Sequence, residues 1–453
     1  MTLRFGTDGV RGPADELSDH LVTALGRAAA TILGGDEFVV GRDPRQSGPR
    51  LERALVRGLT HGGSAVERLG VVPTPLVARI CADRGVAGAM ISASHNAYHD
   101  NGIKFFVPGG LKLTDAVEAD LEAELDRLLA ATSETSPPVE ERVLEDESRT
   151  VSAALVADDV DRYREAVVAS IEGRDVRGLR VVIDCANGAA SEIAPRLLRD
   201  LGCELEVLHA SPDGRNINAG SGSTYPAALQ AAVVASGADV GLAFDGDADR
   251  VLAVDELGEL IDGDHLIALC ALDMRARGLL VDDTVVVTVM TNLGFRLAMA
   301  THGIQVIETQ VGDRYVLEAL ESGGLSLGGE QSGHVIFRRL ATTGDGLLTG
   351  VQLLDLLARA GQPLSALAAA SMTRLPQVLI SVPVAVRSDQ LLDDLADEIA
   401  AVESELGDQG RVLVRPSGTE PLVRVMVEAA DEGRARSAAE RLVDAVGRAA
   451  PPA

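Results

Sequence analysis

The chain has 453 residues, a formal net charge of −27, 46% hydrophobic and 24% charged residues, and only 2% aromatics. At about 150 residues per domain, the length calls for three or more domains whose cores are filled by aliphatic side chains. The acidity excludes the broad basic surface that holds a phosphate backbone, so nucleic acid is not an expected partner.

The N-terminus, MTLRFGTDGVRG, lacks the apolar stretch of a secretion signal, and no run of about 18 or more apolar residues occurs elsewhere. Neither secretion nor membrane spanning is therefore expected. Cys81, Cys185, Cys203 and Cys270 are far apart and form no CxxC pair. The reading is an unstapled chain in a reducing cytoplasm.

Three aliphatic runs, EFVVGRD at 37, LRVVIDCANG at 179 and DTVVVTVMTNLG at 283, each lead into a Gly-rich or polar loop and then a helical pattern. That is the rhythm of βαβ units with buried parallel strands. Helices are predicted over 114–130, with Leu121, Leu125, Leu128 and Leu129 on one face, and over 153–172, with Val160, Tyr163 and Val167. Between them the acidic, Pro-containing stretch 131–150 reads as a connector. In the tail, RVLVRPSGTEPLVRVMVE alternates like an antiparallel strand pair, and SAAERLVDAVGRAA follows as an amphipathic helix. The expected division is 1–150, 151–254, 255–370 and 371–453, three similar α/β units and a smaller α+β unit.

The stretch ISASHNAYHDNGIKFF, residues 91–106, sets Ser94 beside His95 and close to Lys104. Of 41 lysines and arginines, only residues 104 and 112 are lysine. A lysine amine can exchange a proton where a guanidinium cannot, which singles out Lys104, whereas Lys112 reads as a surface charge. A hydrolytic Ser–His pair is a poor reading: neighbouring side chains in extended backbone point apart, and no G-x-S-x-G elbow surrounds Ser94.

FDGDADR places Asp245, Asp247 and Asp249 in one tight loop. Three carboxylates so close call for a cation, and an all-oxygen set indicates Mg²⁺ or Ca²⁺. An EF-hand puts Glu256 at its twelfth position, but Arg250 stands at the sixth, where glycine is needed, and the flanks read as strands. A purely structural acidic turn is the other alternative. Three carboxylates leave positions on Mg²⁺ for a phosphoryl group. If Ser94 carries that group, no adjacent histidine base is needed.

Two further loops could hold a ligand. GGEQSGH sets Glu330, Ser332 and His334 at alternate positions, on one face if the segment is extended, and such a face suits sugar hydroxyls as well as it suits solvent. RPSGTEP supplies Arg415, the hydroxyls of Ser417 and Thr419, and backbone N–H groups around Gly418, with Arg424 on the next strand; a phosphate or an ordinary turn would explain it.

Taken in order, GTDGVRG, ISASHN with DNGIKFF, DGDADR, GGEQSGH and RPSGTEP resemble the α-D-phosphohexomutase superfamily over nearly the whole chain, most closely the bacterial branch that acts on glucosamine phosphates. The resemblance implies four domains in a heart-shaped arrangement, three α/β domains with mixed sheets and a C-terminal α+β domain. It implies a phosphoserine at Ser94, one Mg²⁺ held by Asp245, Asp247, Asp249 and a phosphoserine oxygen, sugar contacts from Glu330, Ser332 and His334, and a phosphate loop of Arg415, Ser417, Gly418, Thr419 and Arg424.

The implied reaction interconverts glucosamine 6-phosphate and glucosamine 1-phosphate through a glucosamine 1,6-bisphosphate intermediate, towards UDP-N-acetylglucosamine and peptidoglycan. Phosphoryl transfer relies on positioning and charge compensation, here from Mg²⁺, Arg250, Arg11 and Lys104. Lys104 is read as the general base, with His334 as a further candidate, and His95 is counted among the catalytic residues; Arg11 and Arg42 fit a site or a surface equally. Ala97 stands where the family commonly has proline, which implies a less rigid serine loop, and Tyr225 stands where histidine is expected. The alternatives are a phosphomannomutase or phosphoglucomutase of the same superfamily, and a non-catalytic sugar-phosphate binder. The sequence leaves the oligomeric state open, a homodimer included.

Overall fold

The computed structural model describes residues 9–134, 153–384, 390–416 and 422–449. The first sheet contains β1 (Val10–Pro13), β2 (Glu37–Arg42), β3 (Ala65–Val71), β4 (Ala87–Ile91) and β5 (Asp100–Phe106), in the order β1-β5-β4-β2-β3. Strand β2 lies parallel to β3 and β4, and β5 returns antiparallel beside β4. The second sheet repeats the plan with β6 (Arg180–Asp184), β7 (Glu204–Leu208), β8 (Val240–Phe244), β9 (Val251–Asp255) and β10 (Leu260–Ile261), ordered β10-β9-β8-β6-β7. The third has β11 (Thr284–Thr288), β12 (Gln305–Thr309), β13 (Leu327–Gly329) and β14 (Val335–Phe337), ordered β12-β11-β13-β14.

The three aliphatic runs seen in the sequence are β2, β6 and β11, the equivalent strand of each sheet, paired in parallel on both sides. Strands sandwiched this way are buried on both faces and read as continuous apolar runs rather than alternating ones. In each sheet the next parallel neighbour, β4, β8 or β13, ends in a loop and returns as an antiparallel strand. Those three equivalent loops carry Ser94, the aspartate triplet and Glu330. They lie beyond the carboxyl ends of parallel strands, where open α/β sheets place ligands.

Helix Asp115–Glu134 buries Leu121, Leu125 and Leu128, and helix Ala153–Ala169 buries Tyr163 and Val167, while Leu129 and Val160, expected on the same faces, are half-buried. The greater part of the acidic connector lies outside the described residues.

Residues 291–304 and 369–453 form a unit separate from the rest of the chain. Its sheet is β15 (Gln377–Pro383), β16 (Arg411–Pro416) and β17 (Leu422–Glu428), antiparallel throughout in the order β15-β17-β16, with helices Gln390–Leu406 and Glu432–Ala449 packed on it. The fully buried Glu428 carboxylate accepts the Leu293 N–H at 2.9 Å and the Asn292 amide at 3.1 Å, which ties helix Leu293–Thr301 to the sheet.

Candidate active site

Ser94 lies three residues beyond the end of β4, fully buried, with φ at +50°. Its Oγ donates to Asp245 Oδ2 at 2.5 Å. The left-handed backbone is held in place by its surroundings, as strained residues at functional sites commonly are. The Ser94 N–H donates to Ser92 Oγ, which donates in turn to Asp43 Oδ2 at 2.7 Å. The fully buried Arg45 spends its guanidinium on the same loop, donating to Asp43 Oδ2 and to the carbonyls of Ser94, Asn96, Ala97 and Asp100. From the second sheet's loops, Asn218 Nδ2 donates to the Ser94 and Asn96 carbonyls at 2.8 and 2.9 Å.

The six-residue turn from β8 to β9 carries Asp245, Asp247 and Asp249, all buried, with one oxygen of each within 4.8 Å of the others. Its flanks are antiparallel strands, which disposes of the EF-hand alternative. Gly246 meets the serine loop edge-on: a Cβ there would lie 2.5 Å from Ser94 O. Ala248 takes φ +58°, and its carbonyl accepts the Gly346 N–H at 3.0 Å. Thr74, at the start of helix Thr74–Arg84, grips Asp247 twice, through N–H to the carbonyl at 2.9 Å and through Oγ1 to Oδ2 at 2.6 Å.

Lys104 points from β5 into this cluster, its Nζ 2.8 Å from Asp247 Oδ2 and 3.1 Å from Asp249 Oδ2. Burial, then the charges of Asp249 and Asp247, pushes Asp245 well above the usual carboxylate range. That is the electrostatic mark of a site short of positive charge. The Asp247 Oδ1 atom is buried with no hydrogen-bond partner among the described residues. An all-carboxylate set with a spare buried oxygen fits a hard divalent cation such as Mg²⁺.

His95 does not project away from Ser94 as extended backbone would require. The left-handed turn at Ser94 brings His95 Nδ1 to 3.4 Å from Ser94 Oγ and 3.1 Å from Arg250 Nη1. Burial, with the nearby charges of Arg250 and Arg11, pushes the ring down to about 4, so it is neutral at ordinary pH and its Nδ1 accepts from Arg250. Arg11, on β1, is paired in register with Gly102. Arg42 is instead occupied by Glu52, 3.4 Å away.

The 330–334 segment is a turn, not an extended strand: the Gly333 N–H donates to the Glu330 carbonyl, with Gly333 at φ +89°. The one-face expectation fails for that reason, since Ser332 is exposed while His334 is 1% exposed. Burial, followed by the charge of Asp313, raises Glu330 above its ordinary value. Lys112, read from the sequence as a surface charge, is buried against Asp313.

On the separate three-stranded sheet, Arg415 and Arg424 stand directly opposite in the β16–β17 register. Partial burial and the charge of Arg424 lower Arg415, a pairing that favours an anion nearby. Ser417, Gly418 and Thr419 lie outside the described residues. The sequence reading missed Asp43, Arg45, Thr74 and Asn218; the GRDPR run that ends β2 was the one local signal, an arginine beside an aspartate at the carboxyl end of a parallel strand.

Models of the phosphoglucomutase/phosphomannomutase family match four consecutive stretches: α/β/α domain I over residues 2–131, domain II over 161–258, domain III over 262–375 and the C-terminal domain over 379–445. A phosphoglucosamine mutase from Frankia casuarinae is 51% identical over 468 aligned residues, covering 100% of both chains. The chain belongs to the phosphoglucosamine mutase family. Another member, from Symbiobacterium thermophilum, is 50% identical over 460 aligned residues, covering 98% of this chain and 99% of the relative. A crystal structure of a phosphoglucomutase/phosphomannomutase family protein from Burkholderia thailandensis superposes with a TM-score of 0.79 at 27% identity, covering 98% of this chain and 97% of that one. The family's fold, three α/β domains and a C-terminal domain, is the one described above. The enzyme is an isomerase of the phosphohexomutase type.

Proposed function

We propose that the protein interconverts glucosamine 6-phosphate and glucosamine 1-phosphate, with Ser94 Oγ as the carrier of the phosphoryl group. The observation that carries this reading is the placement of that Oγ 2.5 Å from a triad carboxylate. A hydroxyl already hydrogen-bonded to Asp245 stands where a phosphoryl group that it carries would meet the cation that the three aspartates would hold. The names of relatives at about 50% identity along the full chain support glucosamine phosphates over glucose or mannose phosphates.

Asp245, Asp247 and Asp249 would hold Mg²⁺, which when bound offsets the charge of the phosphoryl oxygens. The chain's own residues do the rest. Phosphoserine gives its phosphoryl group to the free hydroxyl of the sugar phosphate, forming the 1,6-bisphosphate. The Ser94 oxygen then takes the other phosphoryl group, leaving the isomer.

Lys104, paired with two aspartates in the unmodified protein, is an ammonium ready to protonate a leaving oxygen. The same amine, once it has given up that proton, can accept one from the attacking hydroxyl. Arg250, anchored on neutral His95, and Arg11 add positive charge at the phosphoryl position. His334, buried under its loop, is assigned a supporting place behind Glu330 and Ser332 at the sugar, and Arg415, Ser417, Gly418, Thr419 and Arg424 are assigned to the phosphate that is not transferred.

Four buried free cysteines suit a reducing compartment, and we place the reaction in the cytoplasm. The test is turnover of glucosamine 1-phosphate, glucose 1-phosphate and mannose 1-phosphate, primed with a hexose 1,6-bisphosphate and Mg²⁺. The expected result is the highest kcat/KM for the glucosamine phosphate; a clear preference for either neutral hexose would overturn the assignment.

A further inference from the structure

In a chain that uses arginine almost throughout, both lysines are buried against aspartates. Lys104 belongs to the site already described. Lys112 follows a turn that reverses the chain after β5 and pairs back to Phe106. Gly110, at φ +77°, lets this turn press on helix Thr74–Arg84, since a Cβ there would lie 2.2 Å from the Ala78 carbonyl oxygen. The turn is thus seated on the same helix that grips Asp247.

Across from it, Asp313 opens helix Asp313–Gly323. Lys112 Nζ ion-pairs with Asp313 Oδ2, with side-chain exposures of 8% and 9%. The same Oδ2 lies 3.2 Å from His334 Nε2. The adjoining Gly312 N–H donates to Glu330 Oε1 at 3.2 Å. Asp313, held by Lys112, and its neighbour Gly312 therefore meet the two ends of the 330–334 turn. The next residue, Arg314, adds a second bridge to Glu118 on helix Asp115–Glu134.

We propose that Lys112 is a positioning residue for the sugar: by neutralising and anchoring Asp313, it sets the Glu330–His334 turn against the sheet that carries Ser94 and Lys104. This rests on the reading of that turn as the sugar contact. A buried carboxylate stripped of its cation is strongly unfavourable and relaxes by moving towards water. Here that movement would carry the first turn of helix Asp313–Gly323, the Gly312 N–H and the Glu330 carboxylate with it.

The test compares wild type, K112M and K112M/D313N for KM and kcat on glucosamine 1-phosphate, with thermal unfolding of each. In K112M the expected KM rises about tenfold or more while kcat stays within about threefold, the signature of lost sugar positioning rather than lost chemistry. The double variant, which leaves no uncompensated buried charge, should recover part of that KM, so the two substitutions couple rather than add. A folded K112M with wild-type KM overturns the proposal. So does a K112M whose melting temperature and kcat fall together while KM is unchanged, which is what a purely structural pair would give. Wild type without mutase activity would instead refute the functional reading itself.

Discussion

Arg45 and Ser94 are joined by a 2.8 Å hydrogen bond from a fully buried guanidinium to the serine's own carbonyl. Because the same guanidinium also holds the carbonyls of Asn96, Ala97 and Asp100, one side chain fixes the whole loop. The stiffness that a proline at position 97 would supply is provided here by a clamp on the Ala97 carbonyl.

Replacing Arg45 should therefore cost both stability and rate. R45M leaves Asp43 buried without its cation, a loss of about 3–5 kcal/mol by analogy with other broken buried pairs. The serine loop loses its register at the same time, and kcat should fall about 100-fold, since misplacement by an ångström costs that much. R45K keeps the charge but cannot reach four carbonyls and should recover stability more than rate. Urea unfolding and steady-state turnover of the two variants check this; a rate for R45M near that of wild type contradicts the clamp.

Gly246 is where the metal loop and the serine loop touch. G246A puts a methyl 2.5 Å from Ser94 O, and the neighbour is backbone, so one loop must give way. Overpacking of this kind costs about 1–3 kcal/mol. The separation between Ser94 and the triad should widen, and the Mg²⁺ concentration for half-maximal activity should rise. Metal titration of activity reads this directly; an unchanged titration would show that the contact does not matter.

Asp345 makes stability depend on pH. Its buried carboxylate accepts from the Tyr163 hydroxyl through both oxygens, each at 2.8 Å, and caps helix Gly346–Ala360 through the Leu348 N–H. Burial outweighs these bonds and raises the group from 3.8 to about 6. The folded state therefore holds this proton more tightly than the unfolded chain does. Stability from this group is complete below about pH 4, is lost as pH rises to about 6 and is level above that, a total of about 3 kcal/mol. D345N cannot ionise yet can still cap the helix. Melting temperatures from pH 4 to 7 should show wild type falling relative to D345N; parallel curves would contradict the assignment.

The parts of the molecule legible in the sequence are those written in contiguous residues. β2, β6 and β11 show as aliphatic runs because parallel pairing on both sides excludes polar residues, and the triad shows because Asp245, Asp247 and Asp249 crowd one turn. What could not be read depends on residues far apart in the chain: Thr74 reaches Asp247 across 173 positions, and Asn218 reaches Ser94 across 124. Arg45 was hidden among many arginines, and only burial distinguishes it. The orientation of His95 and the form of the Glu330–His334 turn went astray for one reason, that alternation was assumed where Ser94 and Gly333 adopt positive φ.

The central claim, that Ser94 Oγ carries the phosphoryl group, is tested most directly by intact-mass measurement after incubation with glucosamine 1,6-bisphosphate and Mg²⁺, followed by peptide mapping. The account predicts one added phosphoryl group per chain, mapped to Ser94, and neither label nor turnover in S94A. A label on another residue, or an S94A variant that still interconverts the two glucosamine phosphates, would contradict it.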